Sequence, residues 1–187
     1  PIDSVEFKDI TYFYNKKLHL NKHVYNRNIH IRPDSIYNEK RFQNTYGSLN
    51  SLQAIRSSSI RLTPDSLNPT KLNCDLYLWN NKKHSISTEL EGTNTAGDLG
   101  AASITYTNRN IFHGSESFSL KLRGAYEAIT KLEGYSNTKY LEYNIESGFQ
   151  FPTFLLPFPS AEKKQGLKAT SEINFQYNLQ NRPEFHR

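Results

Sequence analysis

The sequence predicts an α+β domain of order β-α-α-β-β over residues 1–80, followed over residues 81–187 by five antiparallel strands of a transmembrane β-barrel wall. Three observations lead there. Up to residue 80, apolar residues recur first with period two and then every three or four residues, so strand and helix alternate. Beyond it, apolar and polar residues alternate strictly over long segments, as half-apolar strands do. No stretch approaches the roughly 18 uninterrupted apolar residues of a membrane helix. A mean hydropathy of −0.72 is still compatible with barrel strands, which are only half apolar.

In the first half, Val5, Phe7, Ile10, Tyr12 and Tyr14 read as one strand with a register break between Phe7 and Ile10. A first helix is expected around Leu18–Asn28. A second follows Asn38, a capping residue, with Tyr37 and Phe42 at the spacing of a hydrophobic staple and Glu39 favouring the first turn. Phe42, Tyr46, Leu49 and Leu52 would form its buried stripe. Gly47 within that stripe costs about 1 kcal/mol relative to Ala, so the helix needs tertiary support. Two strands come next, separated by the loop Thr63–Thr70. Ile60 and Leu62 belong to the first, and Leu72, Cys74, Leu76 and Leu78 share one face of the second. That alternation puts Cys74, the only cysteine, on the core side as a structural thiol and leaves no partner for an internal disulfide.

In the second half, Ile86, Thr88 and Leu90 alternate with Ser85, Ser87, Glu89 and Glu91, and a turn is expected over Gly92–Asp98. Ala102, Ile104 and Tyr106 mark the next strand, and Phe118, Leu120 and Leu122 the third. Leu141, Tyr143, Ile145, Phe149 and Phe151 oppose Glu142, Asn144, Glu146 and Gln150; Ile173, Phe175, Tyr177 and Leu179 oppose Glu172, Asn174, Gln176 and Gln180. A soluble sandwich or small barrel shows the same period, and that alternative stays open on pattern alone. Lipid is favoured by segments of about 10–14 residues, longer than ordinary globular strands. The polar face is rich in Asn, Gln, Glu, Lys and Arg, as a wet lumen prefers. Tyr106, Phe112, Tyr140, Phe149, Phe151 and Tyr177 lie near strand ends, where an interfacial girdle would sit.

Lys121, Arg123, Glu142, Glu146 and Glu172 are expected as lumen charges, the carboxylates of the last two strands pairing with Lys121 and Arg123. Five strands fall short of the roughly eight in the smallest membrane barrels. The remainder is therefore expected from sequence beyond this chain or from other chains. Pro1 in first position and the absence of Met fit a segment of a longer protein.

The net charge of +5 is spread along the chain, with Lys16-Lys17, Lys82-Lys83 and Lys163-Lys164 as isolated pairs. Nothing resembles the clustered basic surface that nucleic acid needs. His19 and His23 would share a helical face, a spacing open to a metal, but no third ligand is placed and an exposed helix pair is expected. With no nucleophile elbow, phosphate loop or CxxC, neither catalysis nor a metal or other cofactor is expected.

Three runs carry a family resemblance: ELEGTNTAGDLG over Glu89–Gly100, RNIFHGSE over Arg109–Glu116 and LRGAYEA over Leu122–Ala128. Together with the closing RPEFHR of Arg182–Arg187, they resemble the BamA/TamA family of outer-membrane assembly factors (the bacterial surface antigen family), and most nearly its TamA-like lipoprotein form, TamL. The resemblance implies that residues 1–80 are a periplasmic POTRA domain and that the rest begins a barrel inserting or exporting client proteins. It also implies contacts with outer-membrane lipid, with client outer-membrane proteins and, through the POTRA domain, with TamB-like partners. Carried onto this chain, the family's client-accepting first strand is Lys83–Glu91, comprising Lys83, Ser85, Ile86, Ser87, Thr88, Glu89, Leu90 and Glu91, which would template incoming strands by β-augmentation. The family turn motif falls on Asn110, Phe112, Gly114 and Glu116. The family's Arg-Gly-aromatic motif is not in this segment, and Arg123-Gly124-Ala125 lacks the aromatic. Architectures sharing this plan also include secretion pores and passive channels, and a soluble periplasmic binding module is the remaining alternative.

Overall fold

The computed structural model describes residues 2–94, 98–129, 138–153, 155, 169–182 and 185–186. Its elements run β1 (Ile2–Phe7), β2 (Ile10–Asn15), α1 (Lys22–Asn28), α2 (Glu39–Asn50), β3 (Ile55–Pro64), β4 (Leu72–Asn80), β5 (His84–Asn94), β6 (Asp98–Asn108), β7 (Ser117–Ile129), β8 (Thr138–Phe151), β9 (Ser171–Arg182) and β10 (Phe185–His186). They fall into two units. The first comprises Pro1–Lys83, Arg109–Glu116 and Phe151–Ser171; the second comprises His84–Asn108, Ser117–Gln150 and Glu172–Arg187. Residues 95–97 of the expected Gly92–Asp98 turn, the Lys163-Lys164 pair and residues 183, 184 and 187 of the closing run lie outside the described residues.

This is not the β-α-α-β-β POTRA domain followed by barrel strands that the sequence led us to expect. The supposed opening strand is a hairpin. Lys8 and Asp9 both have positive φ (50° and 61°), the geometry of a tight two-residue turn, so the register break reverses the chain and Phe7 faces Ile10. The order is therefore β-β-α-α-β-β. β1 pairs with β2 and β3 with β4 as two separate two-stranded sheets. Beyond residue 83, six strands, including the two-residue β10, form one open antiparallel sheet of order β10-β9-β8-β7-β6-β5, with β5 and β10 at its edges.

The first unit is held by a core of Leu20, Tyr25, Ile29, Leu49, Leu52, Ala54 and Ile55, with Ile10, Tyr12, Leu18, Val24, Ile31, Leu76 and Leu78 packed around it. Asn38 caps α2 by accepting the Arg41 N–H at 3.1 Å, and the Tyr37 and Phe42 rings meet at 6.4 Å as the staple requires. The inward stripe differs from the expected one by one position: Thr45 is fully buried and Tyr46 faces out. The Thr45 hydroxyl donates to the Arg41 carbonyl (2.8 Å) and accepts the N–H groups of His30 (2.9 Å) and Ile31 (3.3 Å). These bonds tie the chain after α1 to α2, using the donor and both acceptor sites of one hydroxyl. A tyrosine could not approach that backbone so closely.

Cys74 also differs from expectation. The alternation along β4 is as read, with Cys74 opposite Leu62, Leu76 opposite Ile60 and Leu78 opposite Ser58. Only Leu76 and Leu78 reach the core, however, and Cys74 is exposed. The hairpin extends beyond the elements that cover its inner face, so sharing a face does not guarantee burial.

In the second unit the register is unbroken from Asn94↔Asp98 to His84↔Asn108, from Asp98↔Ala128 to Asn108↔Phe118 and from Ser117↔Gln150 to Ile129↔Thr138. No bulge interrupts these ladders, so each strand keeps its alternate residues on the same side throughout. A Cβ at Gly148 would lie 2.7 Å from Asn174 Oδ1 and 3.1 Å from Ser119 Oγ. Glycine there lets side chains of the flanking strands close over β8.

Two stability outcomes follow for the first unit. Gly47 is exposed, helical and has nothing within 4 Å of where a Cβ would be, so Gly47→Ala should stabilise by about 0.5–1 kcal/mol. Leu49→Ala, at a fully buried position, should destabilise by about 2–5 kcal/mol. Denaturant titration followed by fluorescence of Trp79, the only tryptophan, measures both; equal midpoints for the two variants would contradict this core.

Candidate functional site

The two faces of the second unit are chemically opposite. On one face stand Ile86 and Leu90 of β5, Ile104 of β6, Leu122 and Tyr126 of β7, Leu141, Tyr143 and Ile145 of β8, and Ile173, Phe175, Tyr177 and Leu179 of β9. All are exposed, Leu90 at 86% and Tyr177 at 63%. Opposite them, Ala101, Ser103, Ala125 and Asn144 are buried, Asn144 at 8%. This is a soluble protein turned inside out: small and polar groups are enclosed while large apolar ones face outward. Fully burying such side chains is worth about 1.5–3 kcal/mol each. Leaving twelve of them half exposed to water would forgo an amount comparable to a domain's entire net stability of about 5–15 kcal/mol.

The polar face carries the charges singled out in the sequence, in different pairings from those expected. Lys121 Nζ meets Glu89 Oε2 at 3.2 Å and Arg123 meets Glu91 Oε2 at 3.0 Å, although Lys121 is directly opposite Glu146. Both bridges span β6, where the residues on that face are the small Ala101 and Ser103. Glu146 instead accepts the Gln176 amide (3.4 Å), and Glu172 that of Asn174 (3.1 Å). Glu142 lies opposite Ala125.

The expected client strand Lys83–Glu91 lies almost wholly within β5, whose ladder partner among the described residues is β6 alone. Arg109 N donates to the Lys83 carbonyl (2.8 Å) across a directly opposed pair. Hydrogen-bonded pairs therefore fall on the odd residues of β5, including Ser85, Ser87, Glu89 and Glu91, while the backbone groups of Ile86, Thr88 and Leu90 point to the open edge.

The turn motif Asn110, Phe112, Gly114 and Glu116 belongs to the first unit. Asn110, 1% exposed, donates from Nδ2 to the His19 carbonyl (2.7 Å) and accepts the Ser115 N–H (3.2 Å). The Glu116 carboxylate accepts the N–H groups of Gly114 (2.9 Å) and Phe112 (3.3 Å) and lies 2.0 Å from where a Gly114 Cβ would be, so a side chain there would displace the carboxylate from this position. The turn docks through Asn21 N to the His113 carbonyl (2.8 Å) and through Ala54 N to Ser115 Oγ (2.9 Å). Phe112 is exposed at the surface of the turn. No protein-family model, curated protein or solved structure matches this chain.

Sequence reasoning missed Ser115. It is fully buried, holds positive φ (67°) and supplies the hydroxyl that caps Ala54 N. A serine in a turn gives no warning of a partner sixty-one residues away. The His19–His23 pair does not share a helix face, because α1 begins only at Lys22. His23 instead packs edge-on against Phe7, ring centroids 5.0 Å apart. Among the described residues no group of three or more His, Cys, Asp or Glu side chains is placed to hold a metal.

His19 gives the docked turn a pH dependence. Burial, with His113 and Lys83 nearby, holds its pKa below the ordinary histidine value, and its Nε2 is enclosed without a partner among the described residues. The unfolded chain therefore binds a proton more readily than the folded one. Stability is fully present above the ordinary value, about 6.5, and is lost as the pH falls from there through the lowered folded value. Hydrogen exchange at the docking amides Asn21 and Ala54, corrected for intrinsic rates, should quicken below about pH 6.5, and His19→Phe should remove that dependence. Asn110→Ala, which strands a buried carbonyl and a buried N–H, should cost about 1–3 kcal/mol; an unshifted denaturation midpoint would show that the turn is not held this way.

Proposed function

We propose that this chain presents a lipid-facing antiparallel wall in the outer membrane, as part of a non-enzymatic factor that helps insert or export client proteins at a strand edge. The supporting observation is the inverted sheet, with a predominantly apolar face turned outward and a charged face, small and buried at its centre, behind it. β7 has 13 residues and β8 has 14. At about 3.3 Å per residue a strand of that length runs about 43 Å, enough to cross about 30 Å of hydrocarbon even at about 45° tilt. Strands of this kind cross outer membranes because each backbone group is satisfied by its neighbours.

The same rule draws attention to β5. An edge strand in hydrocarbon leaves backbone groups unpaired at several kcal/mol each. A partner strand adding to Ile86, Thr88 and Leu90 relieves that cost through main-chain bonds, which recognise extended chains with little regard to sequence. The resemblance of Glu89–Gly100, Arg109–Glu116 and Leu122–Ala128 to the BamA/TamA family points the same way. In this reading the first unit lies in the periplasm, where assembly partners such as TamB-like proteins would meet it, and client outer-membrane proteins engage the β5 edge.

The reading is tested by environment-sensitive labels on single cysteines in a Cys74→Ser background, reconstituted in phosphatidylcholine vesicles. Labels at Ile145 and Phe175 should emit as in hydrocarbon and be quenched by lipid-borne quenchers, while labels at Glu172 and Gln176 should report water. The same water-like emission at all four positions would sink the membrane assignment. For the assembly role, depletion should lower the levels of other outer-membrane proteins. Unchanged levels with reduced solute uptake would point to a passive channel instead.

A further inference from the structure

The second unit contains two ion pairs among its described residues, and both run from β5 to β7. An inner strand is held by a backbone ladder on each side, whereas among the described residues β5 has one on a single side. The pairs supply the missing hold. Glu89 and Glu91 are successive residues on the polar face of β5; the β7 residues in their own rows are Arg123 and Ala125, so Lys121 and Arg123 each reach diagonally, one row along, to meet them. Their side chains pass over Ser103 and Ala101, each 7% exposed beneath them, and Ser103 Oγ adds a hydrogen bond to Glu89 at 3.3 Å. A diagonal reach over two strand spacings of about 9–10 Å and one row along the strand requires a long cation meeting a long carboxylate, with little bulk between. Both conditions are met on both rungs.

We infer that Glu89–Lys121 and Glu91–Arg123 form a two-rung strap that fastens the edge strand β5 to β7 and keeps its open edge in a single register. Lys121 and Arg123 are thus positioning residues for β5. Without them, an edge strand with a polar inner face and the interrupted apolar row Ile86, Thr88, Leu90, Gly92 has only its ladder to β6 to resist slipping or peeling. The strap holds the edge while leaving the outward backbone groups open, which a covering loop or bulge would not do. The use of that edge by a partner strand rests on the function proposed above; the strap itself does not.

The test is hydrogen exchange of the full chain in detergent micelles, read at the amides of Ser85 and Ser87, which face β6. In the Glu89→Gln, Glu91→Gln double variant these amides should exchange about tenfold faster, in line with two partly exposed pairs, while amides of β7 and β8 are unchanged. Salt at about 1 M should produce the same loosening in the parent chain and none in the variant. Glu91→Arg alone should raise exchange at these amides, adding Arg123→Glu to it should restore much of the protection, and Ala101→Leu, which fills the space under the second rung, should mimic the loss. Unchanged exchange at Ser85 and Ser87, or an equal rise over every strand, would overturn the strap. Water-like label emission with a selective rise at β5 would instead remove the membrane reading and leave the strap standing.

Discussion

The unbroken antiparallel register from β5 to β8 is the constraint on which the second unit depends. Because three successive ladders run without a bulge, the parity of each residue decides its side, and one slipped residue would turn every apolar side chain of a strand to the wrong face. The register aligns Ile104, Leu122 and Ile145 across three strands and, behind them, Ser103, Arg123 and Asn144. It also places Glu91, Ala101 and Ala125 in one row, so that Arg123, one step along β7, passes over small residues to reach Glu91. The outward apolar surface and the ion pairs are two results of the same alignment.

The segment Arg109–Glu116 plays a different part. It joins β6 to β7 in sequence yet belongs to the first unit by packing. Its conformation is expensive: two non-glycine residues, His113 and Ser115, hold positive φ. The surrounding bonds compensate, since the Asn110 amide, the Glu116 carboxylate and the Ser115 hydroxyl each satisfy groups that would otherwise be stranded. A segment so tightly specified gives the asparagine, glycine and glutamate of the motif a structural reason, whatever further role Phe112 has at the surface.

The corrections share a physical cause. A break in period two looks the same whether the chain bulges or reverses, and only the positive φ values at Lys8 and Asp9 make it a hairpin. Helical spacing offered Tyr46 as a buried residue; the hydrogen-bonding needs of the chain at His30 and Ile31 selected Thr45. Alternation set Cys74 on the inner face of its hairpin, but the covering elements do not extend that far. Each case turned on something that side-chain periodicity does not carry: a backbone conformation in the first, and neighbours distant in sequence in the other two.

Local pattern by itself determined where the five longer strands after residue 80 lie and which of their residues share a side, though not that β5 and β6 run on to Asn94 and back to Asp98 or that β10 exists. It also determined the cap and staple of α2, because these depend on side-chain periodicity and on groups within four residues. Tertiary structure alone decided that the first unit opens with a hairpin, that β5 lies at an edge, that Lys121 and Arg123 reach across β6 to Glu89 and Glu91 rather than to Glu146, and that Ser115 is buried against Ala54. Those outcomes depend on which strands become neighbours and how much room lies between them, and no period within a single strand encodes either.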